Sequence, residues 1–557
     1  MWRKKILQDT HETPTVPVAA VQISLTEQQA GDVQYFTDWL RQNAQMRDAY
    51  ADNAKAEQYR EKAMTPTWSK GKIIYPFCEL HNTFNAITVA TPLEILAVLA
   101  LLLVWGTGLY FWGIPTLIIT MAVVTFYYFI IMGMMFRLML RAIETQPAEK
   151  IDNAVVQSIK SSDWPKYTIL CPLYHEVVII DQFAAAMNAL DYPPDKLQIL
   201  FLTEEDDHET RQAILDKHLP KHFSIITVPA GEPKTKPRAC NYGLAIADGE
   251  YVVIYDAEDI PEPLQLKKAV LTFASKEPDV ACVQAQLHFY NSRQNILTRW
   301  FSLEYLLWFD LVLPGMQASR LSLPLGGTSN HFRTDILRRL GAWDPFNVTE
   351  DCDLGLRLAG MKMRTAVVDS VTEEEANPQL KNWIRQRSRW IKGYLQTYLV
   401  HMRNPWRFFK PQNFREFFSL QFIIGGTPAT FFLNPLMWSL FALYVYLRPV
   451  IEGAFHILYP APSFYVGTVS LIFGNILYIY IYLIAAAKRE QYHLMYFAIF
   501  MPIYWALLSI AALMALYQLI TKPHHWEKTN HGLHLKYMGA KNTVKERSAV
   551  QVMGDRA

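Results

Sequence analysis

Tyr251-Val252-Val253-Ile254-Tyr255-Asp256-Ala257-Glu258-Asp259 joins a wholly apolar run to a cluster of carboxylates. The run has the length and β-branched content of a buried strand. In open α/β sheets ligands gather outside the carboxyl ends of the strands. A strand that ends in carboxylates can therefore offer oxygen ligands to a hard divalent cation. Asp256 and Glu258 alternate along extended backbone, so both side chains would face one side. Asp259 competes with Glu258 for the second position. An acidic strand end can equally be a solvated turn, so the run takes its meaning from its surroundings.

Outward from this stretch, short apolar runs alternate with helix-like segments. Residues 167–170, 197–202, 223–228, 251–255 and 280–284 read as strands, and 177–190, 209–218, 238–247 and 262–275 as helices. The alternation predicts a mostly parallel sheet flanked by helices. A second acidic run, Glu204-Glu205-Asp206-Asp207, also falls at a strand end.

Two further motifs follow. Thr349-Glu350-Asp351 opens the apolar-periodic segment Leu354-Gly355-Leu356-Arg357-Leu358, with Thr349 or Asp351 near the helix cap. Gln386-Arg387-Ser388-Arg389-Trp390 lies in a helical run over 382–401, where Gln386, Arg389 and Trp390 share one face at i, i+3 and i+4. Taken singly, the first is also a plain N-cap and the second an amphipathic membrane-surface helix with snorkelling arginines.

The 557 residues suggest two or three units rather than one domain. A formal net charge of +2 gives no electrostatic reason to expect nucleic acid as a partner. The 51% hydrophobic content is unevenly spread, and that decides the class. Between residues 93 and 136 the only charge is Glu94, and Gly113-Ile114-Pro115 offers a turn, enough for two spans of about 20 residues each. Arg137 and Arg141 mark the cytoplasmic side. Further apolar stretches occupy 417–447, 464–487 and 494–520. A strict count gives five crossings and an external tail, yet that tail carries Lys522, Lys528, Lys536, Lys541, Lys545 and Arg547. So basic a segment prefers the cytoplasm, which makes one C-terminal stretch interfacial or re-entrant, broken near Gly425-Gly426-Thr427-Pro428 or at Pro502. Cys78, Cys171, Cys240, Cys282 and Cys352 are scattered without C-x-x-C spacing, so neither a zinc site nor a disulfide framework is indicated. Residues 25–64 are polar and helix-friendly, with Phe36, Trp39 and Leu40 as a small apolar face, and read as a solvated extension or a docking helix pair.

Together and in this order, the three motifs resemble the D-x-D, T-E-D and Q-x-x-R-W signatures of the membrane-embedded family 2 glycosyltransferases, which include cellulose, hyaluronan and chitin synthases. The resemblance covers about 166–402, with membrane segments on both sides. It departs at Glu258, where many such enzymes carry Asp; the longer side chain offers the same oxygen donors. The resemblance implies a GT-A-like (Rossmann-like) α/β cytoplasmic domain inserted between α-helical transmembrane segments. The chain then divides into an N-terminal cytoplasmic extension (1–90), two transmembrane helices (91–141) and a GT-A domain (150–380). Amphipathic interface helices (381–412), C-terminal transmembrane or interfacial helices (413–520) and a basic cytoplasmic tail (521–557) complete it.

By the same resemblance the activity is processive, inverting, metal-dependent hexosyl transfer in the inner membrane. A UDP-sugar is the donor and a growing β-linked polysaccharide the acceptor, with translocation through the bilayer and accessory or secretion subunits as partners. The alternative is a single sugar added to a lipid or other membrane acceptor. Asp256 and Glu258 would hold Mg²⁺ or Mn²⁺, and Asp351, with Glu350 beside it, would be the general base. Glu176, Asp206, Lys236, Arg238 and Arg389 would contact the nucleotide, with Asn241 one turn beyond Arg238. Asn330 and His331, within Gly326-Gly327-Thr328-Ser329-Asn330-His331-Phe332-Arg333, would shape the sugar pocket with Gln386 and Trp390. The segment Pro523 to Gly532 resembles the loop that closes over the nucleotide, with Lys528 reaching the diphosphate; it also reads as an interfacial anchor.

Overall fold

The computed structural model describes residues 26–50, 67–69, 72–74, 85–410, 413–525 and 532. Cys78, Lys528 and the rest of the tail loop over 526–531 lie outside the described residues. Strands β1 (Thr67–Ser69) and β2 (Lys72–Ile74) form a small antiparallel pair. The remaining strands are β3 (Tyr167–Leu173), β4 (Leu197–Glu204), β5 (Phe223–Val228), β6 (Tyr251–Ile254), β7 (Ile260–Pro261), β8 (Val280–Phe289), β9 (Asn330–Arg333) and β10 (Arg364–Glu374). They build one sheet in the order β5-β4-β3-β6-β9-β8-β10-β7.

Strands β5, β4, β3 and β6 run parallel, as the alternation of apolar runs and helices requires. The chain moves outward from β3 to β5 and then returns to the other side of β3 at β6, which creates a topological switch point between β3 and β6. The second half departs from the expected parallel pattern. Strand β9 pairs antiparallel with both β6 and β8, and β7 pairs antiparallel with β10, so the sheet is mixed. A four-residue strand following two glycines carries too little periodicity to be read from sequence. Tyr251, Val252, Val253 and Ile254 are buried on both faces, which explains the unbroken apolar run.

The N-terminal helix Glu27–Tyr50 lies on the back of this domain. Phe36 and Leu40 enter its core beside Val155, Val156 and Trp164, and Tyr35 Oη donates to the Ala274 carbonyl at 2.9 Å.

Four helices among the described residues are long and apolar enough to cross a membrane: Pro92–Thr145, Phe414–Leu458, Ala461–Lys488 and Met501–Thr521. The first is a hairpin. Gly113 takes φ +32°, and beyond it Trp105 Nε1 donates to Thr120 Oγ1 at 3.0 Å. In a straight helix, fifteen residues of rise would hold these groups about 22 Å apart. Glu94, the lone charge in the run, caps the helix start: its carboxylate accepts from the Thr91 N–H and hydroxyl at 2.7 Å. Pro502 occupies the first turn of Met501–Thr521, where its missing N–H costs nothing, so it starts a helix rather than breaking one. At Gly425 the chain leaves a π-helical turn, Leu420–Ile424, and enters Gly426–Leu458.

Buried polar contacts tie these helices to the domain. Asp310, fully buried in the π-helical turn Trp308–Val312, accepts from Arg489 Nε at 2.7 Å, Gln286 Nε2 at 2.8 Å and His288 Nε2 at 2.9 Å. Arg489 also reaches Asp369 at 2.8 Å, and Lys488 donates to the Asp310 carbonyl at 2.9 Å. Both ends of Met501–Thr521 bond to the domain side: Tyr504 Oη to Glu304 at 2.5 Å, and the Lys522 and His525 carbonyls to Lys392 Nζ at 3.3 and 2.8 Å.

Backbones of the domain and of the first apolar helix approach closely at Gly315, where an added Cβ would stand 2.0 Å from the Leu138 carbonyl. Gly315→Val should destabilise the protein by about 1–3 kcal/mol, read as a lowered midpoint of thermal unfolding in detergent. Gly360→Ala, which meets nothing within 4 Å, should leave the midpoint nearly unchanged.

Candidate active site

The end of β6 makes the site. Asp259, fully buried, accepts from the backbone N–H of Asp256 at 2.6 Å and from the Thr328 hydroxyl. The Asp259 N–H in turn donates to the Asp256 carbonyl at 3.0 Å. This closed turn uses Asp259 internally and leaves Asp256 and Glu258 on the wall of a cavity of about 400 Å³. The competition between Glu258 and Asp259 for the outward position is thus decided by burial. Burial, then the charges of Asp256 and Glu258, push the Asp259 carboxyl well above the usual range.

Lys236, at the start of the helix Lys236–Ile246, reaches Asp256 Oδ2 at 2.7 Å and the Gly327 carbonyl at 2.5 Å. Burial disfavours its charge, yet the carboxylates of Asp256 and Glu350 outweigh that and hold its pKa above the usual lysine range. Across the cavity, Glu350 and Asp351 open the helix Glu350–Gly360. Thr349 occupies the cap position without making a side-chain cap bond. Burial raises both carboxyls of this closely coupled pair, as Asp351 does further for Glu350.

Arg389 reaches this pair because two helices are stitched together. An added Cβ on Gly393 would stand 2.3 Å from Thr349, so the helix Leu380–Met402 can press against the Thr349-Glu350-Asp351 turn only with glycine there. Gln396 Oε1 accepts from the Val348 N–H at 3.1 Å, and His401 Nε2 meets Asp353 at 2.8 Å. Arg389 consequently lies in the field of Glu350, Asp351, Asp256 and Glu258. Gln386, Arg389 and Trp390 all line the cavity. The Trp390 ring stacks toward Tyr305 at 6.3 Å and 30°. Beyond them the wall is apolar, formed by Phe309, Pro428 and Phe431.

Glu176 lines the cavity from the loop after β3. Asp206, expected at the nucleotide, does not line the cavity; it is paired at 2.6 Å with Lys234, which does, and that hydrogen bond draws its carboxyl below the usual range. Its acidic neighbours hold structure. Glu205 accepts from the Ala230 N–H at 2.8 Å, and Asp207 caps the helix His208–Leu215 through the Thr210 N–H at 3.1 Å.

Four further expected contacts do not reach the cavity. Arg238 is 2% exposed and paired with Glu204 at 3.1 Å, so it braces the sheet rather than facing a pyrophosphate; Asn241 likewise bonds the Trp343 carbonyl at 2.7 Å. His331 is fully buried in β9, with Nδ1 2.6 Å from Tyr167 Oη, and burial lowers its pKa to about 3. Asn330 turns back to the Gly326 carbonyl at 2.7 Å. Because β9 is a strand of the sheet, the polar side chains of this stretch serve the core, and only Gly326, Gly327 and Thr328 line the cavity.

Other lining groups were not singled out from sequence. Glu304 pairs with Arg387, whose guanidinium lies 4.8 Å from the Trp390 ring centre. A lone carboxylate inside the apolar run Phe301-Ser302-Leu303-Glu304-Tyr305-Leu306-Leu307 was the readable sign. Glu374, at the end of β10, had none beyond its place in Glu373-Glu374-Glu375.

A family model described as "Glycosyltransferase like family 2" matches residues 165–393. The chain is 28% identical over 276 residues to "Probable glycosyltransferase YdaM" of Bacillus subtilis (strain 168), covering 49% of this chain and 64% of that one. It is 26% identical over 250 residues to "Beta-monoglucosyldiacylglycerol synthase" of Synechocystis sp., covering 43% and 50%. Against "Cellulose synthase 2" of Novacetimonas hansenii it is 26% identical over 259 residues, covering 44% and 15%. The chain thus spans less than two thirds of each relative. These matches support a family 2 glycosyltransferase, and the mixed Rossmann-like sheet is GT-A-like.

Removing one partner of a buried ion pair costs about 3–5 kcal/mol. Arg238→Met should therefore lower the unfolding midpoint markedly. At a temperature where it stays folded, titration with UDP should give an affinity within a fewfold of whatever the unaltered protein shows, because Arg238 does not line the cavity.

Proposed function

We propose that this chain transfers a hexose, with inversion, from a UDP-sugar to the hydroxyl of an acceptor held at the cytoplasmic membrane surface, elongating a β-linked polysaccharide. The reading is carried by the meeting of Asp256, Glu258, Asp351, Arg389 and Trp390 around one cavity. The coarse class, a family 2 glycosyltransferase, is supported by the match over 165–393.

Asp351 takes the proton of the acceptor hydroxyl as that oxygen attacks the anomeric carbon. Attack from the face opposite the departing diphosphate inverts the centre, so an α-linked donor gives a β-linked product. Lys236 and Arg389 supply fixed positive charge to the leaving diphosphate. Trp390 and Tyr305 offer flat apolar faces to a pyranose.

Asp256 and Glu258 fit a divalent cation: both are hard oxygen donors open to the cavity. Mg²⁺ is commonly held by one or two carboxylates together with substrate phosphates. Bound there, it would neutralise charge on the diphosphate.

Thr427, Pro428 and Phe431 bring the start of a membrane-length helix to the apolar end of the cavity, which favours an acceptor that comes from the bilayer. That observation also keeps a lipid-linked acceptor receiving one sugar as the second reading. Labelled donor supplied to the purified protein separates them, since long product supports elongation and a single addition supports the lipid acceptor.

The tethers support a membrane topology. Both ends of the Pro92–Thr145 hairpin and of the pair Gly426–Leu458 and Ala461–Lys488 return to the domain, with Arg137, Arg141, Lys488 and Arg489 on that side. Both ends of Met501–Thr521 bond to the domain, so that helix lies along the surface. The crossings number four, and the basic tail shares the cytoplasm with the site.

Asp351→Asn should lower turnover by about 10²–10⁴ while leaving the unfolding midpoint near that of the unaltered protein. In the unaltered enzyme the base acts only when ionised, and its pKa is raised. Activity should therefore fall on acidification at a pH above the ordinary aspartate range of about 3.9. Chelation should abolish UDP release and Mg²⁺ or Mn²⁺ restore it. Failure to release UDP from any donor in folded, metal-supplied protein overturns the proposal. An epitope after Ala557 should be cleaved by protease in inverted vesicles and protected in right-side-out cells.

A further inference from the structure

Glu374 has no place in the mechanism above, yet it lines the cavity. It ends β10, where its backbone carbonyl accepts from the Tyr290 N–H at 3.2 Å. Its side chain is 9% exposed, lines the cavity, and has no hydrogen-bond or ion-pair partner among the described residues. Glu375 points the other way and accepts from the Gly532 N–H at 2.7 Å, as alternation along a strand requires.

Two sets of neighbours fix its position. After burial, the charges of Asp259, Glu258 and Asp256 raise its carboxyl well above the usual range, against Lys236, and Asp256, Glu258 and Lys236 line the same cavity. The other set holds Tyr305: after burial, the Glu374 charge is the largest influence raising that hydroxyl above the usual tyrosine range. Glu374 therefore shares one cavity with the acidic group of Asp256 and Glu258 and with the aromatic rings of Tyr305 and Trp390, near enough to both sets for its charge to be felt. In a transfer reaction that cavity is where the migrating hexose must lie, bonded to the leaving phosphate behind and facing the acceptor ahead. A carboxyl group facing a cavity without a protein partner is costly to leave unsatisfied when the cavity is closed to water. A sugar hydroxyl removes that cost, because it can both donate to and accept from a carboxyl group.

We propose that Glu374 reads the donor sugar, its carboxyl group hydrogen-bonding a ring hydroxyl of the hexose and so setting which hexose is transferred. The inference rests on the function proposed above and deepens it: the site recognises a hydroxylated pyranose, not only a nucleoside diphosphate. Sites built to hydrogen-bond a substrate hydroxyl reject analogues that lack it far more strongly than apolar pockets reject a small change of size. Glu374 accordingly discriminates among hexoses, while Trp390 and Tyr305 accept any flat pyranose face.

The test uses the full-length protein in detergent with Mn²⁺. UDP-glucose, UDP-N-acetylglucosamine and GDP-mannose are screened first to find the donor that the unaltered enzyme turns over. For that donor Glu374→Ala should raise KM roughly 10- to 100-fold. Affinity for the free nucleoside diphosphate and the Mn²⁺ concentration for half-maximal activity should both stay within about twofold. Glu374→Gln, which keeps a hydrogen-bonding group, should recover much of the loss. Monodeoxy donors complete the test: one of them should lose as much with the unaltered enzyme as Glu374→Ala loses with the full sugar, and should lose little further with the variant. A shifted Mn²⁺ dependence in both variants would make Glu374 a cation ligand and overturn the proposal. An unchanged KM with every donor would overturn it too. If the unaltered enzyme uses none of the donors, the transferase reading itself fails, an outcome distinct from either.

Discussion

The hydrogen bonds of one buried carboxylate, Asp259, hold the site open. It takes the Asp256 N–H and the Thr328 hydroxyl inward, and so joins the end of β6 to the Gly326-Gly327-Thr328 loop that leads into β9. With that turn closed, Asp256 and Glu258 face outward, and Lys236 can bridge Asp256 to the Gly327 carbonyl. A buried acceptor at this point is costly to leave unsatisfied. The antiparallel insertion of β9 beside β6 is what brings Thr328 within reach. The irregular half of the sheet therefore positions the chemistry of the regular half.

A second constraint acts from the membrane side. Glu304 joins Arg387 of the Leu380–Met402 helix to Tyr504 of the last apolar helix, and Asp310 joins Arg489 to β8 through Gln286 and His288. Buried charges of this kind are weak stabilisers in net terms but strict about geometry. Here they fix the aromatic wall, since Trp308 and Phe309 belong to the turn that carries Asp310. The Leu380–Met402 helix, the last apolar helix and the sheet are thus joined by buried polar contacts around one cavity.

Much of this was legible in the sequence, for reasons that differ by element. Strand β6 declared itself because a strand buried on both faces must be apolar throughout. The Gln386, Arg389 and Trp390 face was readable because helical spacing is fixed by geometry. Arg238 misled because a basic residue near a predicted phosphate site gives no sign of whether it faces the cavity or a buried Glu204; only the register of its helix decides. Asn330 and His331 misled because a short antiparallel strand after two glycines looks like a polar loop. Glu374 was invisible because its role comes from where β10 ends, and strand ends set by pairing with β8 leave no local signal.

In the proposed reaction a cation, a diphosphate and a base meet in one place. The most direct measurement is the anomalous scattering of Mn²⁺ in crystals of the full chain grown with UDP. The account predicts a single strong peak between the Asp256 and Glu258 carboxylates, with the diphosphate against Arg389 and Lys236 and with Asp351 across the gap left for the sugar. A diphosphate bound away from Asp256, or Asp351 turned out of the cavity that holds it, would contradict the account.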